Sequence, residues 1–336
     1  MIPAAVVYRG RHVESVHGAS VAVVDGRGRL CHALGDPRRT VVARSSIKPF
    51  QALPLILSGA AARYGFDDRQ LAIMCGSHNG TDEHRDVVLA ALHAAGNEPA
   101  ELACGCHVPL GLQLAGQVPT DDEHLDPLRH NCSGKHAGFL AQAAHLEEER
   151  QRYLDPDSET QRRVRALLAD FCELDRSELD PCVDGCSAPN YALPLAHLAL
   201  GFMKLATLRS DDPPLRTALA QVVAAMRAAP EMVSGDGRLD LDLTRALGDR
   251  ILCKVGGEAI EAMAWTDPPL GIAVKIHDGS FRALRPVCVE VLRQLGLVKN
   301  PESHPTLRRH VRPTLTNDAG LETGHIETTF QLEPLL

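Results

Sequence analysis

The chain predicts an α+β protein whose two ends share one antiparallel sheet, with a large helical insertion beside it. Three observations carry that reading. Strand patterning fills the start of the chain, as in "ASVAVVDGRGRLCHALGD". It returns only late, from "DRILCKVGG" onward. Between these regions Ala and Leu recur at i, i+3 and i+4, and no internal repeat or βαβ alternation breaks the pattern. The expected organisation is a single unit over residues 1–336, with sheet from about 1–42 and 250–336 and helices over about 43–249.

Taken in order, the first element is a hairpin, because two apolar runs flank Asp25-Gly26-Arg27-Gly28. Helical periodicity follows in "FQALPLILSGAAARYG", "DEHRDVVLAALHAAG" and "GKHAGFLAQAAHLEEERQRYL". Further helices are expected at "SETQRRVRALLADFCELD", "YALPLAHLALGFMKLAT" and "PPLRTALAQVVAAMRAAP". Strands then resume in "DRILCKVGG", "EAMAWTD", "LGIAVKIHDGSFRAL" and "TGHIETTFQLE", with "RPVCVEVLRQLGL" as a helix among them. The run "NPESHPTLRRHVRPT" reads as a loop.

Bulk chemistry narrows the function class. With 44% hydrophobic and 23% charged residues, 336 residues can bury a substantial core. A net charge of -8 argues against nucleic acid or an anionic membrane as the partner, which leaves a small molecule. No apolar stretch reaches the roughly 20 residues of a membrane span. The opening "MIPAAVVYRGRHVE" does not read as a signal peptide, so a cytoplasmic location is expected. The 10 cysteines are then expected as reduced thiols, available for burial, metal or reactivity.

The stretch "RSSIKPF" holds the first chemical signal. Residues three apart share one side of a helical turn, which pairs Ser45 with Lys48 and turns Ser46 elsewhere. Pro49 confines this turn to a helix beginning, and a single 3₁₀ turn keeps the pairing. A neutral lysine is a base, and a serine at a helix start has backbone N–H groups beside it for an oxyanion. In "CGSHNG", Ser77 lies between glycines that allow close backbone approach to a ligand. In "CKVGGEA", Lys254 sits on a strand ending in two glycines. The order of Ser-x-x-Lys, Ser loop and Lys-x-Gly strand is similar to that of the penicillin-recognising serine enzymes.

A second group is sulfur-rich. "HNCSGKH" carries Cys132, Lys135 and His136, and "PCVDGCSAPN" carries Cys182, Asp184 and Cys186. Thiolate and imidazole are zinc ligands, so these loops are zinc candidates, with Cys104 and Cys106 of "ACGCHV" as competitors. Each single cysteine has burial as its plainer explanation.

Together the motifs "ARSSIKPFQALPLI", "CGSHNGTDEHRDVVLAAL", "RHNCSGKHAGFL", "VDGCSAPNYALPLAHLALGF", "CKVGGEAIEA" and "LTNDAGLETGHIETTF" resemble the L-asparaginase II family of rhizobial type. That family's fold is similar to serine β-lactamases, penicillin-binding proteins and glutaminases. The resemblance implies two Ser-Lys tandems, Ser45 with Lys48 and Ser77 with Lys254. It implies zinc held by Cys132, Lys135 and Cys186, and places Arg44, Asp184 and His136 in the substrate site. It also implies a homodimer that hydrolyses L-asparagine to L-aspartate and ammonia. The run "VGGEAIEA" after Lys254 departs from the Gly-Ala-Glu-Gly common in the family, so the pocket edge there is expected to differ. The expected mechanism is attack by Ser45 with neutral Lys48 as base. The alternatives are zinc-activated hydrolysis, a glutaminase-like activity, or a non-catalytic amino-acid-binding protein.

Overall fold

The chain begins with two strands, β1 (Pro3–Arg9) and β2 (His12–Asp25), and β2 turns back into β3 (Leu30–Leu34). The expected hairpin turn is built on Asp25, whose carboxylate accepts from the backbone N–H of Arg27 and of Arg29, each at 2.9 Å. These relations come from a computed structural model that describes residues 2–117 and 125–335.

A short strand β4 (Thr40–Val42) leaves the main sheet, against the expectation that the first 42 residues all belong to it. Two further strands, β5 (Asp180–Val183) and β6 (Pro189–Pro194), pair with each other, and β4 adds to β6 to make a small three-stranded sheet. Residues 191–194 therefore form strand, where the apolar periodicity predicted helix. Pro194 is the reason the helix starts late, since Pro cannot sit inside a helix without losing a hydrogen bond and does fit just before its first residue.

The helical block contains α1 (Lys48–Leu57), α2 (Ala60–Tyr64), α3 (Asp68–Met74), α4 (Asp82–Ala94) and α5 (Leu110–Leu114). It continues with α6 (Ser133–His145), α7 (Glu159–Cys172), α8 (Leu195–Ala206), α9 (Pro213–Ala228), α10 (Pro230–Val233) and α11 (Leu239–Leu247). Caps set the starts of α3 and α4: Asp67 and Thr81 each accept from the N–H three residues on.

Strands β7 (Ile251–Gly256), β8 (Ile260–Trp265) and β9 (Leu270–Ile276) then complete the centre of the main sheet. Helix α12 (Phe281–Gln294) follows, one turn earlier than expected, after the "DGS" signal at Asp278–Ser280. The run read as a loop contains a short helix, α13 (Arg308–Val311). Strands β10 (Thr314–Thr316), β11 (Glu322–Thr328) and β12 (Glu333–Pro334) end the chain.

The main sheet has the order β10-β11-β1-β2-β9-β8-β7, with β3 branching from β2 and β12 from β3. Pairing of β1 with β11 is antiparallel, with Val7 opposite Ile326, so the two ends of the chain do share one sheet. The predicted α+β layout is thus the observed one.

Alternation on the strands sorts two cores. On β8 and β9, Ala262, Ala264 and Ala273 face the helical block, and small residues let α8 approach the sheet closely. Met263, Trp265, Ile272 and Val274 face the other way and pack with Val287 and Val291 of α12. Strands β7 and β8 are buried at every residue, which is the signature of a sheet covered on both faces. Among the described residues no helix is long and apolar enough to cross a membrane.

Candidate active site

The turn before α1 is a 3₁₀ helix over Arg44–Ile47, with Pro49 in the first turn of α1. Arg44 has φ +51°, a left-handed conformation that costs a side-chain-bearing residue energy and persists only where the surroundings hold it. Three bonds do so. The Arg44 N–H donates to Asn190 Oδ1 at 3.0 Å, its Nε donates to Asp184 Oδ1 at 2.7 Å, and Asn190 Nδ2 donates to Asp184 Oδ2 at 3.0 Å. The turn between β5 and β6 is thereby clamped to the residue preceding Ser45. On its other side the turn lies against the end of β7, where a Cβ on Gly257 would meet the Arg44 guanidinium at 2.9 Å.

Ser45 and Ser46 have opposite surroundings. Ser46 is fully buried and its hydroxyl donates to Ala43 O at 2.6 Å. Ser45 lines a cavity of about 290 Å³, and none of the described residues forms a hydrogen bond with its side chain. Ser77 lines the same cavity from the loop after α3.

Lys48 does not bond Ser45, as i, i+3 spacing led one to expect. As the first residue of α1 it turns inward, donating to Gly76 O, to Ser77 Oγ at 3.1 Å and to Asn131 O at 3.3 Å. Buried carbonyl groups compete for its N–H groups and win. Lys254, in the middle of β7, places Nζ 3.0 Å from Ser77 Oγ and 2.6 Å from Val255 O. The two tandems therefore meet at one atom, the Ser77 hydroxyl.

Both lysines are fully buried. Burial is the main cause that lowers the proton affinity of Lys48. Lys254 is lowered to about 7, by burial first and then by the charges of Lys48 and Arg238 against the opposing pull of Asp240. Both shifts run toward the neutral amine, the form that can accept a proton.

Sequence reasoning missed several cavity residues: His107, His130, Asn131 and Arg238. His130 and Asn131 lie inside the quoted "HNCSGKH" and adjoin Cys132, so their place in the motif was a usable signal. His107 likewise follows Cys106 inside the quoted "ACGCHV", whereas Arg238 comes from a loop with no such mark. His107 Nε2 lies 3.1 Å from Asn131 Oδ1 and its ring meets His130 edge-on at 4.3 Å. His136 is not among the cavity-lining residues. It is fully buried on α6, with Nδ1 2.7 Å from the hydroxyl of Tyr153, and that hydroxyl already accepts from Ala103 N. Burial holds the imidazole neutral. His136 supports the wall from behind.

Cys132, Lys135 and Cys186 converge at the start of α6 and the turn between β5 and β6. Lys135 Nζ is 3.0 Å from Cys186 Sγ, and all three residues are at least 96% buried. A hydrogen bond between the two sulfurs pulls Cys132 well below an ordinary thiol and pushes Cys186 up. Burial lowers Lys135, but the nearby sulfurs of Cys186 and Cys132 outweigh it and favour its charged form. Among the described residues no three His, Cys, Asp or Glu side chains form a metal cluster. The two sulfurs suit zinc, with Cys132 and Cys186 also open to the cavity, whereas Lys135 could join them only as the neutral amine, since its ammonium form has no lone pair to give. Of the competitors, Cys106 is exposed and Cys104 is buried with its Sγ donating to Pro127 O at 3.7 Å, while Cys182 of the second loop lines other surface pockets.

A family model described as L-asparaginase II matches residues 5–328. The chain belongs to the L-asparaginase II family. Its chemistry is therefore of the asparaginase-type amidohydrolase class, with a small-molecule substrate. No curated protein sequence matches it. Among solved structures it is similar to Mglu in its native form, with 15% identity and a TM-score of 0.43 over 84% of this chain and 66% of that one. It is also similar to a beta-lactamase from Mycobacterium bovis, with 13% identity and a TM-score of 0.39 over 82% and 94% of the two chains. A beta-lactamase from Sphaerobacter thermophilus matches with 12% identity and a TM-score of 0.37 over 84% and 93%. In this L-asparaginase II chain every residue of the cavity wall, from Arg44 to Phe281, falls within the family-matched span.

Proposed function

We propose that this protein is an L-asparaginase that hydrolyses L-asparagine to L-aspartate and ammonia through an acyl-enzyme on Ser45. One observation carries the reading beyond the family: Ser45 opens on a cavity beside a Ser77 hydroxyl bridged by two buried lysines, one lowered to about 7. A base works best with a pKa near the operating pH, which selects Lys254 as the acceptor. Lys48, facing two carbonyl oxygens besides Ser77, suits the ammonium form and the role of holding Ser77 in place. The pairing of Ser45 with Lys48 as its direct base gives way to this relay.

In the proposed reaction, Ser45 turns about χ1 toward Ser77 and its oxygen attacks the side-chain amide carbon of asparagine. The serine proton passes through Ser77 to Lys254. The Ser45 N–H lies in the first turn of the 3₁₀ helix, where N–H groups lack intrahelical acceptors, and it stabilises the oxyanion. As the tetrahedral centre collapses, the proton returns to the amide nitrogen and ammonia leaves. Water then hydrolyses the ester, again giving its proton to Lys254, and Ser45 is released with its hydrogen restored. Zinc held by Cys132, Lys135 and Cys186 would supply a positive charge at the cavity wall that orients the substrate.

The test is ammonia release from L-asparagine and L-glutamine by the wild type, Ser45→Ala and Ser77→Ala. Loss of turnover in Ser45→Ala, with a covalent adduct mapped to Ser45 in the wild type, is the expected result. An adduct on Ser77 would favour a second reading, in which Ser77 attacks, and the lysine contacts of Ser77 are the observation behind it. Metal content measured on Cys132→Ala tests the zinc set: retained zinc removes Cys132 from it. The resemblance also supports a cytoplasmic homodimer, and light scattering is expected to give about twice the 36.3 kDa chain mass.

A further inference from the structure

Two arginines line the cavity, and they differ in what they are attached to. Arg44 is committed, since Asp184 takes its Nε at 2.7 Å. Arg238 forms no ion pair with any described residue. Its Nη1 touches only neutral oxygens, Ser77 O at 3.3 Å and Asn79 Oδ1 at 3.5 Å. The acidic groups around it are occupied or turned away. Asp236 pairs with Arg245 at 2.8 Å, and Asp242 serves His310 and Arg309. Both carboxyl oxygens of Asp240 are buried without a hydrogen-bond partner, so neither reaches the Arg238 guanidinium.

The position of Arg238 is built by close approach of two loops. Ser77 N donates to Val233 O at 2.7 Å and Asn79 Nδ2 donates to Asp236 O at 3.0 Å. Between them Gly235 has φ +128°, and a Cβ there would meet Asn79 at 2.6 Å. Only glycine allows this contact. The backbone that carries Arg238 is thereby held against the same loop that carries the Ser77 hydroxyl.

A guanidinium is always charged, and its planar fork matches a carboxylate in two parallel hydrogen bonds. A half-buried guanidinium at the cavity wall with no carboxylate of the described residues beside it is open to pairing with one that a ligand brings. We propose that Arg238 binds the α-carboxylate of the substrate and thereby restricts this enzyme to free amino acids. This rests on the asparaginase reading above. An asparagine residue inside a peptide, or an amide without an α-carboxylate, would leave Arg238 unpaired and is rejected for that reason.

The experiment compares L-asparagine with β-alaninamide, which is asparagine without its α-carboxylate. Ammonia release is measured for wild type, Arg238→Gln, Arg238→Lys and Arg44→Gln. The wild type is expected to prefer L-asparagine by about a hundredfold in kcat/KM. Arg238→Gln should lose most of that preference, because kcat/KM falls further for L-asparagine than for β-alaninamide. Arg238→Lys, which keeps the charge without the fork, should fall between them.

Equal handling of both substrates by the wild type overturns the proposal, whatever the variants do. So does a preference that survives in Arg238→Gln, or one that is lost in Arg44→Gln alone. If the wild type releases no ammonia from either substrate, the asparaginase reading fails instead. Calorimetric titration with L-aspartate against β-alanine then decides the carboxylate question by itself. Binding of L-aspartate that Arg238→Gln abolishes supports the assignment, and absence of binding to the wild type overturns it.

Discussion

Ser45 and Ser46 are neighbours in sequence and opposites in chemistry. Ser46 donates to Ala43 O within the core, so Ser46→Ala is expected to cost about 1 kcal/mol of stability and to keep turnover. Ser45→Ala is expected to lose turnover and keep its melting temperature, and assay beside a thermal melt separates the two. Lys254 sets the pH dependence. Its amine is neutral above about 7, so kcat/KM should rise with pH through that value and level off. Lys254→Met should lose at least about a hundredfold in kcat. The same lowering has a stability sign. Between about 7 and the ordinary lysine value of 10.5 the unfolded chain holds a proton that the folded chain does not, so Lys254 makes stability rise with pH over that window. A urea midpoint that falls across it in wild type, relative to Lys254→Met, would contradict the assignment.

At the scale of elements, the candidate site is a meeting of segments distant in the chain. The 3₁₀ turn before α1, the loop after α3, the start of α6, the turn between β5 and β6, the loop before α11 and strand β7 each bring side chains to it. The end of β7 also sets a clearance. In Gly257→Ala the new methyl would lie 2.9 Å from the Arg44 guanidinium carbon, and the guanidinium, held by Asp184 through Nε, must shift to make room. Expected is a loss of about tenfold to a hundredfold in kcat/KM with little change in melting temperature, because displaced groups near the reacting centre cost rate before they cost stability. The pocket edge expected to differ from the family's usual run is therefore a point of contact with Arg44.

For the molecule as a whole, the sheet separates two cores that are coupled differently to the cavity. The core on the α12 side includes Ile326 of β11, which is 1% exposed and lies toward the edge of the sheet far from β7. Ile326→Ala should cost about 2–5 kcal/mol by leaving a cavity, read as a lower urea midpoint. KM for L-asparagine should stay unchanged in the folded fraction. A shift in KM of the same variant would mean that the sheet edge and the cavity move together.

Much of the fold was legible because period-two and period-3.6 patterns are local. The hairpin at Asp25–Gly28, the main helices and the return of strands after residue 250 all announce themselves within a few residues. The small sheet of β4, β5 and β6 did not, since its strands are short and interrupted by Pro181, Pro189 and Pro194. In the candidate site the sequence by itself determined the residue types, through motifs; it pointed to Ser45 over Ser46 by a helical spacing to Lys48 that the structure does not keep as a bond. Which lysine faces which serine was decided only in three dimensions, because the carbonyl groups of Gly76 and Asn131 that draw Lys48 away from Ser45 lie on other segments. The same holds for His136, turned from the cavity by Tyr153, and for Arg238, brought to it by the contact of Gly235 with Asn79. Local patterns record which groups a chain owns, while hydrogen bonds between distant segments select the partners those groups keep.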